Sequence, residues 1–251
     1  MVALVLLGLG SVAFALPFAL LARRPAAEVW PLLVFSTVLH VGYTLLLMLS
    51  YRLGEFSQVY PLARGTAPLV VVLVAVLVVG ELPAAAEVAG IVLIAAALVG
   101  LALTGRRAGA NDPRAVTAAI ATGLMIAAYT VVDGIAVRRS GSAAGYAGWL
   151  VAIEGAGLVV AAVAIRGRAL IPGIRRVWLP GVAGGGLSVL AYGLVLWAQT
   201  RGPLAVVSAL RETSIIAGAL IGTLVFHERF GRARTIAAAV VVAGIALITL
   251  G

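Results

Sequence analysis

The chain has 251 residues, of which 63% are hydrophobic and 11% charged, with a mean hydropathy of +1.17, a balance that excludes an ordinary soluble domain. It holds no cysteine, which excludes disulfides, iron–sulfur clusters and thiolate zinc sites but says nothing of compartment. The net charge of +9 rests on arginine alone, since no lysine is present, and most of the arginines lie between apolar stretches, where anionic lipid headgroups rather than nucleic acid are the expected contacts.

Nine stretches are long and apolar enough to cross a hydrocarbon core of ~30 Å as helices of ~20 residues. In chain order they cover 2–21, 30–50, 57–80, 85–104, 115–137, 143–165, 177–200, 203–226 and 233–251. Period-2 alternation is absent and the runs are continuously apolar with frequent Gly and Ala, so helices are predicted rather than barrel strands. The first stretch is no secretory signal, for it lacks a basic start and its apolar run is too long for a signal core. The predicted fold class is an all-α integral membrane protein, a multi-pass bundle of nine transmembrane helices in the cell (inner) membrane.

Polar residues punctuate these spans. The second carries His40 and Tyr43, with His40 read as a hydrogen-bonded interior histidine. The third carries Tyr60 and Arg64 one turn apart and stops at Glu81. The fifth carries Tyr129 and Asp133, the sixth Glu154 at its centre, the seventh Tyr192 and Trp197, and the eighth Arg211 and Glu212, stopping at Glu228. Trp30, Trp149 and Trp178 fall near span ends, where interfacial anchoring is the default. Gly155 with Gly157, Gly184–Gly186 and Gly218 with Gly222 suit close helix approach.

Arg64 and Arg211 are each followed seventeen residues later by a glutamate, and an offset of 147 overlays both pairs. The same offset carries span 143–165 back onto the first span, and an offset of 149 overlays Tyr43 on Tyr192. Span 115–137 has no counterpart. The expected organisation is therefore a first repeat over 1–108 with four spans and a second over 113–251 with five. Five-helix repeats reverse direction from one copy to the next, so an inverted repeat is predicted. The deficit also raises the expectation of a helix and connection of ~34 residues before Met1. A duplicated apolar helix with a buried arginine points to a membrane transporter.

The stretches Val59–Pro68 with Gly80-Glu81, Tyr129–Ser142, and Ser208–Ile215 with Glu228 resemble the EamA-type branch of the drug/metabolite transporter superfamily, and the resemblance covers essentially the whole chain. It implies ten helices in two inverted five-helix repeats around a central substrate cavity, with export of metabolites, amino acids or drugs. The absent first helix is the departure. The expected function is a secondary transporter, an exporter of a small metabolite or drug-like molecule across the cytoplasmic membrane by alternating access. The alternatives are a flippase for a lipid-linked sugar and a non-transporting truncated or assembly subunit.

Each membrane-embedded charge has two readings. Arg64 and Arg211 lie too deep for easy snorkelling, and they either bind an anionic substrate group or are structural. Tyr60, Tyr43, Tyr192 and Trp197 are the further substrate-binding candidates. Glu154, Asp133 and Glu212 are candidates for proton coupling or ion pairing, and Glu212, about 100° around an ideal helix from Arg211, should find its partner on another helix. Glu81 and Glu228 are assigned to structural turns.

An enzyme is not expected. The two aspartates, Asp112 and Asp133, are twenty-one residues apart and form no magnesium cluster, and no Gly-x-Ser-x-Gly elbow occurs. No cofactor or metal is expected. The expected partners are the lipid bilayer, a small-molecule substrate and a proton or counter-substrate, with no nucleic acid; a dimer is left open. Orientation divides the signals. Eleven arginines in connections fall on one face and five on the other, placing the carboxyl terminus outside, whereas the family plan places it in the cytoplasm.

Overall fold

A computed structural model describes residues 2–104, 112–167, 171–215, 217 and 232–250. Among them the chain is helical, without strands, as the unbroken apolar runs require. α1 spans Val2–Leu21, and a short 3-10 turn at Ala27–Val29 leads into α2, Trp30–Leu53. α3 spans Phe56–Val74 and widens into a π turn at Ala75–Val79, followed by α4, Ala85–Thr104. α5 spans Pro113–Arg139, α6 Ala143–Arg166 and α7 Ile171–Gln199. α8, Leu204–Leu210, tightens into a 3-10 turn at Arg211–Thr213, and α9 spans Arg232–Leu250.

Eight helices among the described residues are long and apolar enough to cross a membrane. They match eight of the nine predicted spans. The remaining one, predicted over 203–226, begins with α8, and most of its carboxyl-terminal half, together with Glu228, lies outside the described residues.

Local chemistry sets several helix ends. Gly80 closes the π turn with φ +76°, a left-handed conformation that costs glycine little. Gly141, φ +71°, turns the chain between α5 and α6, and Ser142 then caps α6 by accepting from the Gly145 amide at 3.1 Å. Pro61 and Pro68 lie inside α3, so the carbonyls of Ser57 and Arg64 receive no helical donor four residues on. α7 carries a non-helical residue at Val177, near the predicted start of its span.

The chain divides into two compact units that do not follow the two expected repeats; α2 and α5 each pass from one unit to the other. The first unit comprises residues 1–41 and 132–201. Its core joins Val29 and Leu33 of α2, Ala136 and Val137 of α5, Tyr146 and Leu150 of α6, and Leu196 of α7. α1 packs against α6 and α7 at points where side chains are missing. A Cβ on Gly8 would stand 2.7 Å from the Gly155 carbonyl oxygen, and one on Gly155 would stand 2.6 Å from that of Gly8. The contact is reciprocal, and the two residues are 147 apart in sequence.

The second unit comprises residues 42–131 and 202–251. α4 packs on α3 and α9. Glycine again sets the closest approaches: a Cβ on Gly244 would lie 2.8 Å from the Gly90 carbonyl oxygen, and one on Gly123 would lie 2.7 Å from that of Ala63. Such contacts stabilise by dispersion between closely apposed backbones, since burial from lipid supplies little hydrophobic drive. Many large apolar side chains point outward, Phe18, Leu73 and Leu190 among them, as lipid-facing surfaces do.

The reciprocal glycine crossing should be sensitive to added volume. Gly155→Val should destabilise the protein by about 1–3 kcal/mol, as overpacking does, and lower its melting temperature in detergent. Gly193→Ala, whose Cβ would meet nothing within 4 Å, should not lower it. Equal melting of Gly155→Val and wild type would show that α1 and α6 are not in backbone contact.

Candidate functional site

Polar groups inside the spans collect in two clusters, one in each compact unit. In the second unit the centre is Arg64 on α3. Its Nε donates to Glu212 Oε2 at 2.9 Å, while Nη2 donates to the Arg211 carbonyl oxygen at 3.2 Å and to Ser214 Oγ at 2.9 Å. The two charged side chains are almost enclosed, 17% exposed for Arg64 and 4% for Glu212. Tyr60, one turn before Arg64, lies with its ring centroid 6.0 Å from the guanidinium and stacks on Phe56 at 4.9 Å.

The 3-10 turn at Arg211–Thr213 lets consecutive residues serve different partners. Glu212 reaches Arg64, a residue on another helix, while the Arg211 side chain donates to Thr130 Oγ1 at 3.3 Å and Tyr129 Oη at 3.4 Å on α5. The Arg211 guanidinium also lies 5.9 Å from the Tyr129 ring centroid, and Tyr43 meets that ring edge-on at 5.5 Å. Arg64, Arg211, Tyr60, Tyr43 and Glu212 thus come together through α2, α3, α5 and α8. Arg64 binds the backbone of the residue 147 positions later.

Glu81 secures the same unit from the far end of α3. Its Oε2 accepts from the Leu204 amide at 2.8 Å, meeting one of the orphan donors at the start of α8. α8 is therefore held near both of its ends, at its start by the Glu81 carboxylate from beyond the π turn and at its close by the Arg64 guanidinium from the middle of α3.

The first unit holds the other cluster. Asp133 is fully buried; Tyr146 Oη donates to its Oδ1 at 2.8 Å, and the hydroxyl of Tyr192 donates to its Oδ2. His40 Nε2 stands 3.8 Å from the same Oδ2, and its ring meets Tyr192 edge-on at 5.3 Å. Glu154 lies within electrostatic range of both His40 and Asp133. Arg138, five residues after Asp133 in α5, donates from Nε to the Gln199 carbonyl oxygen at 2.8 Å.

Two expected substrate-binding residues, Tyr192 and Trp197, belong to this first unit. Tyr192 serves Asp133, and Trp197 is 53% exposed near the end of α7, where Arg201 covers its ring at 5.4 Å. Tyr146, Thr130 and Ser214 were not singled out from the sequence. The available signal was general: a tyrosine within an apolar helix must place its hydroxyl on a partner.

Known proteins share both the sequence pattern and the fold. The profile of the EamA-like transporter family matches residues 113–250, and the chain belongs to that family. A crystal structure described only as that of a protein shares the fold: TM-score 0.77 at 23% identity, covering 99% of this chain and 86% of its own. No curated protein matches.

The pair in the second unit can be tested by removing one partner or both. Glu212→Gln leaves the Arg64 guanidinium without its carboxylate and should cost about 3–5 kcal/mol, while Arg64→Met/Glu212→Met should regain most of that loss. Thermal melts of the single and double variants give the measurement. Equal losses in single and double variants would contradict a direct pair.

Proposed function

We propose that the chain is a secondary transporter, an exporter that moves a small metabolite or drug-like molecule bearing an anionic group across the cytoplasmic membrane by alternating access. Family membership supports transport, and one observation supports the substrate class. The cluster brings the guanidinium groups of Arg64 and Arg211 together within apolar spans, a positive charge suited to an anionic group. A carboxylate or phosphate on the substrate would match that charge, and Tyr60, Tyr129 and Tyr43 offer ring faces to an apolar body.

Alternating access is supported by the internal repeat, organised as 1–108 and 113–251, with the second repeat coextensive, but for one residue, with the family match. In each compact unit a residue touches its mate at the same offset: Gly8 meets Gly155, and Arg64 meets Arg211. The glycine contact is reciprocal, as contact between two-fold related elements is. Coupling to a proton is assigned to the cluster around Asp133 and Glu154, where titratable groups sit together inside the spans.

Purified protein in liposomes loaded with an unlabelled carboxylate, phosphate ester or organic cation tests this reading by counterflow of the labelled molecule. Anionic compounds should exchange. Arg211→Gln should raise their apparent KM roughly 10–100-fold, the loss expected for a charge-assisted hydrogen bond of about 1.5–3 kcal/mol. Exchange of cations alone would refute the substrate class, and no exchange of any compound would refute transport.

A further inference from the structure

We propose that the coupling proton is bound at Nε2 of His40, with Asp133 as its fixed counter-ion and Tyr146 and Tyr192 as the groups that position that counter-ion. The inference rests on the proton-coupled reading above and assigns its proton to an atom.

The tautomer follows from the hydrogen bonds. His40 Nδ1 lies 3.0 Å from the Ser36 carbonyl oxygen, and a carbonyl can only accept, so Nδ1 carries a hydrogen whether the ring is neutral or charged. The Ser36 hydroxyl, at 3.3 Å from Nδ1, can rotate to suit. Proton exchange is thereby confined to Nε2, the nitrogen that faces Asp133 at 3.8 Å.

The acceptor side is equally constrained. Each oxygen of Asp133 already accepts from a phenol, Tyr146 on Oδ1 and Tyr192 on Oδ2. A proton placed on either oxygen would weaken the hydrogen bond which that oxygen accepts, since a neutral carboxyl is a poorer acceptor than a carboxylate. The imidazole is the group that can take the proton without disturbing the rest. When it does, the separation from Oδ2, too long for a hydrogen bond, can close to a charge-assisted one of about 2.7–2.9 Å.

Around the ring stand Ser36 on α2, Asp133 on α5 and Tyr192 on α7, with Glu154 on α6 within electrostatic range. His40 itself is 4% exposed. Glu154 is the second carboxylate within electrostatic range. One N–H bond forms and breaks in the cycle, with no change of redox state.

Nitrogen NMR of ¹⁵N-histidine protein in lipid nanodiscs reads this directly, with His227→Gln as background so that one imidazole remains. Across a pH series, His40 should show Nδ1 protonated throughout and Nε2 gaining its proton on acidification, and Asp133→Asn should abolish the doubly protonated form over that range. An Nε2–H neutral tautomer, no protonation across the range, or an Asp133→Asn spectrum like wild type would overturn the assignment. In liposomes His40→Gln should lose at least tenfold of the accumulation driven by a pH gradient, and full retention would overturn it too. The spectra need no transport, so their failure leaves the transporter reading standing, whereas absence of counterflow in wild type removes that reading and leaves the spectra interpretable.

Discussion

A charge inside hydrocarbon must carry its partner with it, and the Arg64–Glu212 pair meets that demand in the second unit. The guanidinium has five donors in a fixed fork, and the fold supplies a carboxylate, a backbone carbonyl and a hydroxyl to meet them. Those acceptors lie at Arg211, Glu212 and Ser214, where α8 has tightened into a 3-10 turn. The same tightening frees the Arg211 side chain to reach α5. One ion pair therefore fixes where α8 ends, which way Arg211 faces and which tyrosines surround it.

The first unit meets the equivalent demand without an arginine. Asp133 is fully buried, and two phenols and an imidazole surround its oxygens. The difference matters for function. A guanidinium keeps its charge throughout the accessible pH range, whereas an imidazole can gain and lose a proton. The chain thus holds a guanidinium pair in one unit and an imidazole beside a carboxylate in the other.

Much of this was legible in the sequence because membrane physics leaves few options. Continuous apolar runs of about 20 residues specify helices, and eight appear among the described residues with bounds within a few positions of those expected. The expectation of a repeat came from Arg64 and Arg211 because charge stands out against an apolar background. The partners were not. Glu212 needed an acceptor-to-donor match on another helix, and a linear sequence does not state which helices touch. Asp133 shows the same gap: nothing in the linear sequence states that its carboxylate meets Tyr146 and Tyr192 from α6 and α7. His40 looked like an ordinary interior histidine because its significance depends on which ring nitrogen faces the acid. Trp197 was grouped with the inner aromatics by its position within a span, but burial depends on helix face, and that face is exposed.

If the Arg211 region is a working site, it must be reached in turn from both sides of the membrane, and the absence of native cysteine makes it accessible to one clean measurement. Thr130 accepts from the Arg211 guanidinium and is itself buried. In a Thr130→Cys protein, a membrane-impermeant thiol reagent should label the cysteine when applied to either face of sealed, uniformly oriented vesicles, and a transported anion should slow that labelling. Labelling from neither face, with full reaction once the protein is denatured, would identify the cluster as a sealed structural core and contradict the account.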